Sequence, residues 1–180
     1  MKENILLALQ FIILVFVQVL LFNQIHIYSV GCIFLYVLFV INYPFERKKI
    51  DIVLWGFILG FVIDIFSQSY GIHTFATTLI AYLRPFIIKL YAGSNYSEVL
   101  KKHYNRFDKT FYRYAVTLIL IHHLTLFMLE AFSIKFIIPI ILKTLTSTLL
   151  TTIFVFFVQS VLARKKIVSD KKSKELRTKS

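Results

Sequence analysis

The chain contains a single cysteine, Cys32, so it can form no internal disulfide and no thiolate zinc cluster. Five glycines and three prolines in 180 residues leave few breaks in regular structure. Acidic residues are also scarce, nine against 21 lysines and arginines, for a formal charge of +12. Also missing are a glycine-rich phosphate loop, an activated serine and a pair of catalytic carboxylates, so no enzymatic centre, cofactor or metal is expected. The basic excess does not describe a nucleic-acid surface, because the lysines and arginines lie between long apolar runs with no base-stacking surface around them.

What the chain has in abundance is apolar surface: 58% hydrophobic residues, 19 phenylalanines and a mean hydropathy of +0.74. Six apolar runs stand out, at Ile5–Phe22, Tyr28–Tyr43, Ile52–Phe66, Ile72–Tyr91, Tyr114–Phe132 and Phe136–Ala163. A spanning helix needs about 20 such residues, and lipid offers no partner to open backbone groups, so each run is expected to be a helix. The fold class is an all-α membrane protein, a six-transmembrane-helix bundle over residues 1–163. Residues 1–22 are not read as a cleaved signal, because Asn23-Gln24-Ile25-His26 offers no small-residue cleavage site.

Lysine and arginine placement sets the expected orientation. Lys2, the 47–49 cluster, five residues between Lys101 and Arg113 and eight between Arg164 and Lys179 fall on one side, seventeen against Lys135 alone on the other. Both termini are therefore expected in the cytoplasm, with the chain multi-pass in an inner membrane. In segment 94–113, Leu100, Tyr104, Phe107 and Phe111 recur at helical spacing, which predicts a helix lying on the membrane surface. Residues 164–180 are basic and almost without apolar content, which predicts a disordered tail attracted to anionic lipids.

Several polar or small residues interrupt the runs. Gly56, Gly60 and Asp64 follow one another at four-residue intervals on one helix face, and glycines so placed let a second helix approach closely. A carboxylate in that position must face the bundle interior or a wet cavity, as a structural partner or as a ligand or proton site. His73 begins the next run across the turn that ends at Gly71, within plausible hydrogen-bonding reach of Asp64. Arg84 and Lys89 are expected to snorkel to the interface, and Pro85 to kink its helix. The adjacent His122 and His123 point about 100° apart and suit interhelical hydrogen bonds better than a shared metal. Thr144, Thr148 and Thr151 line one face of the last run, with Ser147 near it, as packing contacts.

From Gly60-Phe61-Val62-Ile63-Asp64 through Ser67-Gln68-Ser69-Tyr70-Gly71-Ile72-His73-Thr74-Phe75, the sequence resembles the rod shape-determining protein MreD family. The stretch Ala81-Tyr82-Leu83-Arg84-Pro85-Phe86 resembles a subset of that family. Outside Gly56–Phe86 the likeness is one of hydropathy. The resemblance implies a non-enzymatic member of the cell-elongation complex, binding MreC and helping couple MreB filaments to peptidoglycan synthesis with RodA and a class B penicillin-binding protein. It also implies a fold similar to the substrate-binding component of energy-coupling-factor transporters. The alternative function is therefore a vitamin transporter component, although Ala8 lacks the alanine partner of that group's docking motif.

Overall fold

The computed structural model describes residues 2–22, 31–93, 109–132 and 137–178, with side chains described between Asn4 and Val161. Among these residues the regular structure is helical: α1 (Lys2–Leu20), α2 (Val37–Asn42), α3 (Lys49–Ser67), α4 (Ile72–Ala92), α5 (Lys109–Ala131) and α6 (Ile137–Thr178). The helices α3, α4, α5 and the Ile137–Val161 part of α6 are each long and apolar enough to cross a membrane. In α1 the apolar stretch is shorter, Asn4–Leu20. The chain is thus an all-helical membrane protein.

Consecutive long helices pack side by side, α3 on α4, α4 on α5 and α5 on α6, while α1 packs on α3. Lipid-facing surfaces are apolar, as at Leu54, Phe57 and Phe61 of α3 and Leu145, Leu149 and Ile153 of α6. The middle of the bundle is filled by the second apolar run. Every residue from Ile33 to Ile41 is buried, whichever way it points, which is the mark of a segment enclosed on all sides.

That run is not the continuous helix expected over Tyr28–Tyr43. Within its described part, helix exists only from Val37 to Asn42, and Gly31 to Tyr36 is non-helical. The rule that apolar runs must be helical fails here because the backbone meets protein rather than lipid. The segment runs back along α1: Gln18 bonds Ile33 and Leu35 near one end of that helix, and Arg47 bonds Asn4 at the other.

Two other expectations meet the structure differently. The surface helix expected over 94–113 falls mostly outside the described residues, and Phe111 at its end belongs to the first turns of α5. The basic segment after Arg164, expected to be disordered, continues α6 as helix to Thr178. Elongating an existing helix avoids the nucleation cost, and Lys, Arg, Glu and Leu are good helix formers.

Candidate functional site

The sequence-selected residues meet at the α3–α4 hairpin. A Cβ on Gly60 would lie 2.5 Å from Thr74 Cα and 2.6 Å from the His73 carbonyl oxygen, so the two backbones touch there. One turn below, a Cβ on Gly56 would lie 2.9 Å from Ala81 Cβ and 3.3 Å from the Thr77 oxygen. The glycine pair sets how closely α3 approaches α4.

Asp64 closes the hairpin. Its Oδ1 accepts the Ser69 hydroxyl at 2.6 Å and the His73 backbone N–H at 3.0 Å. Its Oδ2 accepts the Thr74 N–H at 2.8 Å and the Thr74 hydroxyl. Gly71 precedes α4 with φ of 93°, a left-handed conformation suited to glycine, and glycine has no side chain with which to cap that helix. Asp64 supplies the cap from the neighbouring helix, satisfying orphan donors of the first turn and placing a negative charge at the positive end of α4. The bond to His73 thus comes from its backbone and leaves the ring free to turn inward.

The His73 ring joins an interior network that sequence spacing did not reveal. Tyr36 Oη lies 2.8 Å from His73 Nδ1 and 2.8 Å from His122 Nε2. A hydroxyl has one proton, so Tyr36 donates to one ring and accepts from the other. His123 Nδ1 lies 2.6 Å from the Ile119 carbonyl, which can only accept, so that nitrogen carries the proton. Its Nε2 is then free to accept from the Thr151 hydroxyl at 3.2 Å. Phe34 occupies the centre, with ring centroids 5.3 Å from His73, 5.3 Å from His123 and 5.9 Å from His122.

The non-helical stretch is held by side chains. Cys32 and Phe34 donate their N–H groups to Ser147 at 3.0 Å and Thr151 at 3.2 Å, on α6. On the opposite side Gln18 of α1 donates to the Ile33 carbonyl at 3.0 Å and accepts the Leu35 N–H at 2.8 Å. This alternation is the two-residue period of a strand. Ser147 and Thr151, four residues apart on a helix, are separated by about 6 Å of rise, which two extended residues match. Gln18, Ser147 and Thr151 therefore act as surrogate strand neighbours.

At the other end of the second segment stands Arg84, 4% exposed rather than snorkelling. Its Nε donates to Tyr114 Oη at 2.8 Å, its terminal nitrogen to the Tyr43 carbonyl, and its guanidinium carbon lies 3.6 Å from the Phe45 ring centre. Tyr114 in turn donates to the Ile41 carbonyl at 3.3 Å. Arg84 thereby finishes the C-terminal end of α2, where carbonyls lack partners and a cation is favoured. Pro85 lies beside it within α4, and Lys89 is exposed. Glu130 pairs with Lys143 at 2.9 Å where α5 meets α6.

A shallow depression of about 530 Å³ lies at the hairpin end, lined by Phe61, Asp64, Ile65, Gln68, Tyr70 and Gly71. Both carboxylate oxygens of Asp64 are already engaged by the hairpin. Among the described residues no three His, Cys, Asp or Glu side chains are grouped to hold a metal ion. No protein-family model, curated protein or solved structure matches the chain.

Proposed function

We propose that this chain is a non-enzymatic inner-membrane component of the bacterial cell-elongation complex. It binds MreC and helps couple MreB filaments to peptidoglycan synthesis. The observation that carries the reading is the use made of the residues behind the MreD resemblance. Gly60 brings two backbones together, Asp64 caps α4 with both oxygens occupied, and Arg84 finishes α2. Such residues build a scaffold and leave little polar capacity for a substrate. RodA and a class B penicillin-binding protein complete the proposed partner set, with anionic lipids at the basic face.

Six crossings with cytoplasmic termini belong to this proposal. Four residues at extended rise and eight at turn or helical rise, the last six of them α2, carry Gly31 to Asn42 across about 25 Å, most of a ~30 Å hydrocarbon core. The bonds from Gln18 and Arg47 support a return beside α1, and the seventeen-to-one split of basic residues supports the orientation.

The transporter reading has one observation in its favour, a non-helical stretch in the bundle interior. Against it, the Cys32 and Phe34 amides are taken by Ser147 and Thr151, the Ile33 carbonyl and Leu35 amide by Gln18, and Phe34 fills the space beside them. Affinity purification of the tagged chain in mild detergent, with identification of what accompanies it, separates the two. The expected companion is a bitopic coiled-coil protein; recovery of an ATPase module instead would overturn the scaffold reading.

A further inference from the structure

The imidazoles of His73 and His122 and the phenol between them neither cap α4 nor hold the second segment in place, and hydrogen bonding restricts where their protons sit. Three protons belong to the neutral trio, one on each ring and one on the hydroxyl. Two of them fill the bridges from Tyr36 Oη to His73 Nδ1 and to His122 Nε2, both 2.8 Å long. The third therefore sits at one end, on His73 Nε2 or on His122 Nδ1, and shifting both bridge protons by one place moves it from one end to the other. The ends differ. His73, 7% exposed, lies in the first turn of α4 beside Asp64, whereas His122 is fully buried and its Nδ1 has no partner among the described residues. An ionisable group inside a membrane bundle is costly to keep, and proton handling is one of the uses that retain it. We propose that His73, Tyr36 and His122 form a proton-binding site, which takes one proton from water at the hairpin end and shares it between the two rings through the hydroxyl.

The step balances with water as the only other party. A hydronium ion gives its proton to the lone pair of His73 Nε2 and leaves as water. The His73 Nδ1 proton passes to Tyr36 Oη as the Tyr36 proton passes to His122 Nε2, each bonding pair staying on the atom that gives up the proton. The positive charge thus moves from His73 to His122 while both bridges stay made. Charged and titratable groups reach this trio from several elements. Asp64 on α3 and Glu130 on α5 are carboxylates that attract an added positive charge, and Glu130 is itself paired with Lys143 of α6. His123 stands next to His122 on α5, Cys32 of the second segment lies within electrostatic reach of Glu130 and Lys143, and Arg84 is about 16 Å further along α4. The bridge joins α4, α5 and the second segment, so the bound proton is shared by three elements of the bundle.

Nitrogen magnetic resonance of the full chain, isotope-labelled in its histidine rings and held in lipid nanodiscs, reads the protonation of each imidazole. In the background His26→Gln/His103→Gln only the rings of His73, His122 and His123 remain. On acidification His73 and His122 are expected to change together, in one transition that takes up one proton, each moving by part of the full imidazolium shift. His123, whose nitrogens are engaged by Ile119 and Thr151, is expected to keep its neutral signature through that transition. Tyr36→Phe removes only the hydroxyl and is expected to split the joint transition into separate responses of the two rings. Should that variant fail to fold, Asp64→Asn decides, since loss of the carboxylate charge is expected to move the joint transition to more acidic pH. Rings that stay neutral down to acid unfolding, independent titration of His73 and His122 in the parent chain, a joint transition retained in Tyr36→Phe or one unmoved in Asp64→Asn would each overturn the site. None of these results bears on which partner the chain recruits, so this proposal and the scaffold reading fail separately.

Discussion

Asp64 is a carboxylate in a membrane helix that is stable because donors surround it. Leaving the His73 and Thr74 amides without an acceptor costs about 1–3 kcal/mol for each. Asp64→Leu is therefore expected to lower the detergent melting temperature and yield sharply, while Asp64→Asn, which keeps one acceptor oxygen, is expected to lose clearly less. Equal behaviour of the two would contradict the capping role. At Gly60 an added methyl meets backbone atoms of α4, which cannot rotate aside, whereas at Gly56 the nearest atom is the Ala81 side chain. Gly60→Ala is expected to cost more than the usual ~1–3 kcal/mol of overpacking, and Gly56→Ala to fall within it. Ranking the two by thermal denaturation in detergent checks this, and the reverse order would contradict it.

Among the elements, α6 presents hydroxyls of two kinds. Thr151 accepts from the Phe34 amide and meets His123, whereas Thr148, also buried, has no partner for its hydroxyl among the described residues. Thr151→Val is expected to destabilise by about 1–3 kcal/mol, and Thr148→Val to be neutral or slightly stabilising. Comparing the two melting temperatures tests the difference, and equal losses would count against the surrogate-strand description. The same contrast explains what was legible in the sequence. The α3–α4 hairpin could be read because its determinants are local: glycines at four-residue spacing, an aspartate and a turn of four residues. The unwound second segment could not, because an apolar run looks helical until the partners that unwind it are known. Ser147 and Thr151 lie 115 and 117 residues away from the amides they hold. Gln18 and Tyr36, polar residues within apolar runs, were the available signals, and neither names its partner. Arg84 was misplaced for a related reason: snorkelling is the default for a long cation near a helix end, and its buried carbonyl partner belongs to another segment.

At the scale of the whole molecule, the bundle surrounds a filled centre, and most of its lysines and arginines lie between the apolar runs and after the last of them. Cysteines introduced at Ser69, in the α3–α4 turn, and at Ser173, in the basic extension of α6, are expected to differ in labelling by an impermeant reagent. The first should react in intact cells and the second only after permeabilisation; external labelling of Ser173 would contradict the proposed orientation. The proposed role is in cell elongation, and cell shape during depletion measures it most directly. Under that proposal, cells depleted of this chain are expected to widen and become round, with rods restored by the wild-type chain and largely by Asp64→Asn but not by Asp64→Leu. Rods of unchanged width after complete depletion would contradict the account.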